Sequence, residues 1–127
     1  VIITGQKRFF CGGADITVLQ STALSTNTNE PSLISAAHPV LNNIEDGTKP
    51  FIAAINGYAL GGGCELAMGC HYRIMSTTAS IGLVEANLGL IPGFGGTQRL
   101  PRLMGLNEGI YAILTGKQFS AKHAERR

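Results

Sequence analysis

A short apolar run, residues 51–55 (Phe-Ile-Ala-Ala-Ile), leads through Asn56 and Gly57 into Tyr58-Ala59-Leu60-Gly61-Gly62-Gly63-Cys64-Glu65-Leu66-Ala67-Met68-Gly69-Cys70. The first run has strand length. The small-residue run behind the glycines packs tightly only as a helix. The chain must therefore pass from strand to helix through three residues without Cβ atoms, where backbone approaches a neighbour or a ligand closely. A helix start leaves N–H groups unpaired and carries partial positive charge, which suits an oxygen that bears or develops negative charge. Glu65 follows in the first turn. Its helical neighbours Gly61, Gly62, Met68 and Gly69 include no basic residue. Such a carboxylate either reaches water or has chemistry to do. On this stretch alone two readings stand: a catalytic carboxylate, or a tight turn whose Glu is a favourable dipole partner.

A second pair of glycines nearer the start of the chain again allows close backbone approach. Residues 1–4 (Val-Ile-Ile-Thr) read as a buried central strand. Phe9-Phe10-Cys11-Gly12-Gly13-Ala14-Asp15-Ile16 passes from an aromatic pair through two glycines into a turn or helix; the Ala14 N–H could face a ligand, but on this stretch alone an ordinary glycine turn is the better reading. Residues 21–31 are rich in Ser, Thr and Asn and read as a mobile surface loop. Leu33, Ile34, Ala37, Val40, Leu41 and Ile44 form a helical stripe. Pro39 falls inside it, so the helix begins near Pro39 or is kinked there. Gly47 ends it. Residues 71–76 form a strand with Tyr72 and Ile74 on one face, and residues 80–84 form a second extended run. Strand, helix and strand repeated at this spacing predict an α/β protein.

Glu85 follows apolar Leu83 and Val84, and it is the sole acid between Glu65 and Glu108. Residues 92–100 (Pro-Gly-Phe-Gly-Gly-Thr-Gln-Arg-Leu) are a glycine-rich turn opening a helix. They lack the Gly-Lys-Ser/Thr ending of a nucleotide loop and fit no dinucleotide spacing, so a structural turn is the better reading. A helix spans residues 106–114, ended by Gly116, and Ser120 is expected to cap the last one.

Composition narrows the function classes. With 127 residues, 44% hydrophobic and 14% charged, the chain suits one domain or part of one and can bury a core. A net charge of +2 is too small to argue for nucleic acid, and Lys117, Lys122, Arg126 and Arg127 make no basic stripe. Three cysteines without paired spacing fit a reducing, intracellular compartment. His38, His71 and His123 are scattered and form no metal pattern. No apolar run is long enough to span a membrane. Both ends look cut within elements, so an incomplete core fragment of a longer protein is expected.

Three stretches together carry a resemblance: residues 10–16, residues 56–68, and residues 82–100 with their Gly-Leu-Val-Glu and Gly-Gly-Thr-Gln-Arg-Leu runs. In order and spacing they resemble the enoyl-CoA hydratase/isomerase (crotonase) family over nearly the whole chain, least in residues 17–49. Residues 69–74 and 91–94 look most like the hydratase region of multifunctional fatty-acid β-oxidation enzymes. The resemblance implies a spiral of ββα turns, here residues 1–127 of a larger domain, and an acyl-CoA substrate. Coenzyme A would be part of the substrate, and no separate cofactor is implied. It implies an oxyanion hole from the N–H groups of Ala14 and Gly62. Glu65 and Glu85 would be catalytic, handling water and the C2 proton. Gly13, Asp15, Ile16, Gly61, Pro92 and Gly93 would lie along the substrate. Single-function members of such a family usually form trimers, so a homo-oligomer or a larger multifunctional chain is expected, in a mitochondrion, a peroxisome or a bacterial cytoplasm. One departure is Gly12, where many relatives have Ala. The N-terminal strand and helix that help form the CoA pocket would precede Val1, and the C-terminal helices would follow Arg127. Isomerisation of 3-enoyl-CoA, and a binding role on the same fold, for example toward RNA, are the alternatives.

Overall fold

A computed structural model of the chain describes residues 1–24 and 33–126. The chain winds in successive turns, each giving one strand to each of two sheets before it turns helical. The first turn contains β1 (Ile2–Thr4), β2 (Phe9–Cys11), α1 (Ile16–Leu24) and α2 (Leu33–Glu45). The second contains β3 (Ile52–Ile55), β4 (Tyr58–Leu60) and α3 (Gly62–Gly69). The third contains β5 (Tyr72–Met75), β6 (Ser80–Gly82), a 3-10 turn at Glu85–Leu88 and α4 (Gly96–Met104). Then follow α5 (Leu106–Thr115), β7 (Gln118–Ser120) and the short α6 (Ala121–Ala124). First strands form the parallel sheet β1-β3-β5. Second strands form β2-β4-β6-β7, parallel except where β7 runs against β6.

Register decides which side chains meet the core. In the first sheet, Ala53 pairs with Ile3 and Arg73, and Ile55 pairs with Met75. Ala53 and Ile55 are fully buried, in one core cluster with the α3 residues Cys64, Ala67 and Met68. In the second sheet, Ala59, Ile81 and Phe119 stand in one buried row. Alternation along a strand sends the flanking residues to the opposite face. Arg73 reaches back from β5 and donates to the carbonyls of Ala67, Met68 and Cys70, the last at 2.7 Å. It thereby satisfies the carbonyl end of α3 with a favourable charge.

Several expectations are corrected. Among the described residues the first strand is neither central nor buried: β1 has one strand neighbour, β3, and Ile2 is 70% exposed. Ile2, Ile52 and Tyr72 share a row on the outer face, beside Thr4, Ala54 and Ile74. Tyr72 and Ile74 do share a face, the exposed one. Pro39 is interior to α2, so that helix does not begin there. The expected loop at 21–31 is already helical through Leu24 in α1, and its remainder lies outside the described residues. Ser120 occupies the N-cap position of α6 without a side-chain hydrogen bond to it. Among the described residues no helix is long and apolar enough to cross a membrane.

Candidate active site

Each glycine at the start of α3 is required by a different neighbour. Gly61 has φ of 53° and lies against the carboxylate of Glu85; a Cβ there would be 3.1 Å from Oε1. A Cβ on Gly62 would be 2.9 Å from the Phe94 ring. One on Gly63 would collide with the Cys11 carbonyl, where α3 crosses β2. The residues pressing on Gly61 and Gly62 belong to the candidate site; the third contact is fold packing alone.

Gly13 backs directly onto this helix start. Its φ is 91°, and a Cβ on it would be 3.0 Å from both the Gly62 nitrogen and the Leu60 carbonyl oxygen. The turn carrying Ala14 and the first amide of α3 are thus adjacent. The Gly62 N–H opens the helix, so no helical carbonyl lies behind it to accept. Among the described residues, neither it nor the Ala14 N–H is seen donating to an acceptor. Two free amides beside a helix N-terminus can hold an oxygen that gains negative charge.

Glu65, one turn into α3, is 1% exposed. Its Oε1 accepts the N–H groups of Phe94 at 2.8 Å and Gly96 at 2.7 Å. Burial pushes its pKa above the usual carboxylate range. The two N–H bonds, and the charges of Arg99 and His38, pull it back down. Glu85 is half-buried at the head of the 3-10 turn. Its Oε2 is buried and has no hydrogen-bond partner among the described residues. Burial raises its pKa as well, its own backbone N–H opposes that, and the charge of Glu65 raises it further. That last effect means the two carboxylates feel one another.

The other expected residues divide. Pro92 is buried and Gly93 half-buried, immediately before the Phe94 amide that holds Glu65. Ile16 is exposed at the start of α1, next to the Ala14 turn. Asp15 is already engaged: its Oδ1 accepts the Thr17 N–H at 2.8 Å and hydroxyl at 2.7 Å, capping α1. Those bonds hold its pKa below the ordinary value. Its side chain is thus a helix cap, leaving the backbone for any substrate contact.

Cys64 lies between the two glutamates in chemistry but not in role. Burial, then the charges of Glu85 and Glu65, push its thiol far above the ordinary range, which makes it inert as a nucleophile. A cavity of about 120 Å³ behind it, lined by Met68, Arg73, Leu100, Met104 and Phe119 among others, includes neither glutamate.

Phe94 and Gly96, which hold Glu65 through backbone N–H groups, were not among the residues the sequence singled out. Their signal is the Gly95-Gly96 pair at the head of α4, read from sequence as a structural turn. It is a turn whose amides point at a carboxylate.

Two sheets fed by ββα turns, with a glycine-lined helix start flanked by two carboxylates, define the crotonase fold. The chain belongs to the enoyl-CoA hydratase/isomerase family, whose model matches residues 1–127. It is 48% identical over 124 residues to a probable enoyl-CoA hydratase of Bacillus subtilis, covering 98% of this chain and 47% of that protein. A peroxisomal fatty acid beta-oxidation multifunctional protein of Oryza sativa is 48% identical over 125 residues, covering 98% of this chain and 17% of that one. The crystal structure of an enoyl-CoA hydratase from Bacillus anthracis superposes with a TM-score of 0.86 at 42% identity, covering 98% of this chain and 48% of the other. The chain therefore spans about half the length of the single-function relatives it matches, and about a sixth of the multifunctional one.

Proposed function

We propose that the full-length protein hydrates trans-2-enoyl-CoA to 3-hydroxyacyl-CoA, with residues 1–127 forming part of its hydratase domain. One observation carries the reading: a carboxylate 1% exposed, fixed by two N–H groups, shares a glycine-lined helix start with a second carboxylate. Neither packing nor solubility calls for two ionisable groups in such a place.

The chemistry follows from what each group offers. The thioester oxygen accepts the Ala14 and Gly62 N–H groups. Glu65 takes a proton from water as the water oxygen bonds to C3. The C2–C3 π electrons move toward the thioester, giving an enolate whose charge rests on the oxyanion hole and the α3 dipole. Collapse of the enolate places a proton from Glu85 on C2. Water has added across the double bond, and the two carboxyls return to their starting states by exchanging a proton through solvent. Gly13, Ile16, Gly61, Pro92, Gly93 and the Asp15 backbone would line the bound acyl-CoA. No further cofactor is needed, because the thioester supplies the electron sink. The setting we infer is a homo-oligomer or a multifunctional chain in a reducing intracellular compartment; a relative named as a peroxisomal multifunctional protein supports the second form, and relatives from a bacterium and a peroxisome support such a location.

Isomerisation of 3-enoyl-CoA is the second reading. It is favoured by one feature, the Oε2 of Glu85, which has no partner among the described residues, since a single carboxylate suffices to move a proton between C2 and C4. Assaying the full-length protein on trans-2-enoyl-CoA and 3-enoyl-CoA tests both. Hydration as the faster reaction supports the proposal. Isomerisation without hydration replaces it with the second reading, and no turnover of either leaves a binding protein on the same fold.

A further inference from the structure

Arg99 stands on α4, and its side chain is only 11% exposed. Each of its three guanidinium nitrogens donates at least once. Nη1 donates to the Phe94 carbonyl at 2.9 Å. Nε and Nη2 both donate to Glu45 Oε2, at 3.0 and 2.6 Å, and Nη2 also reaches Asn42 Oδ1 at 3.3 Å. Glu45 and Asn42 belong to α2. The Phe94 residue is thus gripped on both sides: its carbonyl by Arg99, its N–H by Glu65.

The turn between these groups is built to be pressed from both directions. Gly95 has φ of 95°, and a Cβ on it would strike Arg99 Nη1. A Cβ on Gly96 would be 2.8 Å from Glu65 Oε1. A rigid fork of donors suits such a task better than a flexible ammonium, because it fixes direction as well as charge.

We propose that Arg99 is a positioning residue for Glu65: anchored to α2 through Glu45 and Asn42, it holds the 94–96 turn so that two N–H groups fix Oε1 and leave Oε2 as the oxygen that takes the proton. The inference rests on the reading of Glu65 as the base that activates water. Charged groups acting on Glu65 are Arg99 from α4, His38 from α2 and, from the 3-10 turn, Glu85. Arg99 and His38 pull the carboxyl down, so loss of Arg99 lets it rise.

The test uses the full-length protein with Arg99→Gln, Arg99→Lys, Glu45→Gln and, as reference, Glu65→Gln. Arg99→Gln should lower kcat for hydration by roughly 10- to 100-fold, the scale of a misplaced catalytic group, with KM near the parent's. The acid limb of its pH profile should move to higher pH. Arg99→Lys should lose kcat but keep the acid limb, having kept the charge without the fork. Glu45→Gln, at a half-exposed position, should give a smaller kcat loss in a protein that melts like the parent. If Arg99→Gln fails to fold, the Lys and Glu45 variants decide: parent-like kcat in both overturns the proposal. So does an Arg99→Gln protein with unchanged kcat, or one with lowered kcat and an unmoved acid limb. Hydration surviving Glu65→Gln removes the underlying reading instead. Hydration lost there but kept in the Arg99 and Glu45 variants removes only the positioning role.

Discussion

The carboxylate of Glu65 accepts two backbone N–H groups through one oxygen, whereas Glu85 turns a buried oxygen toward no described partner. Both are raised by burial, but the opposing influences differ. Glu65 is steadied by amides and by the charges of Arg99 and His38. Glu85 has its own N–H for support and a like charge, Glu65, against it. Under the proposed function, environments that act so differently on two neighbouring carboxyls would separate their tasks. The better-stabilised anion suits a fixed base that orients water. The less-stabilised one suits a group that carries a proton and releases it. The contrast also explains the division of glycines: Gly96 yields space to Glu65, and Gly61 to Glu85.

The sharpest way to break this comparison is to neutralise each member in the full-length protein. Glu65→Gln should reduce hydration of trans-2-enoyl-CoA by about 100-fold or more, the scale of a general base, with KM little changed in steady-state assays. Glu85→Gln should cost hydration on a similar scale and should also abolish any isomerisation of 3-enoyl-CoA. Equal loss of both activities in the two variants would erase the distinction between them.

A milder perturbation addresses Glu85 through its neighbour. Gly61→Ala places a methyl group against that carboxylate at a φ of 53°. Strain of about 1–3 kcal/mol is expected from the backbone alone. The proton step at C2 should suffer more than binding, so kcat should fall by a larger factor than product affinity, measured by calorimetry.

The smallest effect is on stability. Both carboxyls have folded-state pKa values raised above the unfolded ones. Their favourable contribution is therefore present at low pH and lost as pH rises through the folded values. At neutral pH the ionised forms cost stability, and Glu85→Gln should melt higher than the parent. The gain should be about 2–4 °C for each kcal/mol recovered in a domain of 150–250 residues, shrinking as pH falls toward the unfolded carboxyl value. A lower melting temperature at neutral pH would contradict the raised pKa.

Much of this arrangement was legible in sequence, for local reasons. The helix start at the glycine triplet, Glu65 in its first turn, and the two acids in apolar runs all depend on residues a few positions apart. What was missed depends on partners far along the chain. Strands β4 and β7 have three residues each, too few for alternation to register, and exist because β6 pairs with both. The amides that hold Glu65 lie 29 and 31 residues away. Arg99 reads as an ordinary helix-surface cation until α2 brings Glu45, 54 residues distant, against it. Of the two readings of Pro39, a helix start there is ruled out: Leu41 and Ile44 are buried in the core, and α2 runs through the proline. Val1 and Ile2 are exposed among the described residues: β-branched residues favour a strand without saying what covers it.

The central claim is that the two carboxylates divide the reaction, water to Glu65 and the C2 proton to Glu85. Exchange of the C2 hydrogens of a saturated acyl-CoA with deuterated water, followed by proton NMR, isolates the second task because no water is added. With the full-length protein, exchange should proceed, should persist when Glu65 is replaced by Gln, and should vanish when Glu85 is. Exchange that survives Glu85→Gln but is lost with Glu65→Gln would contradict the assignment.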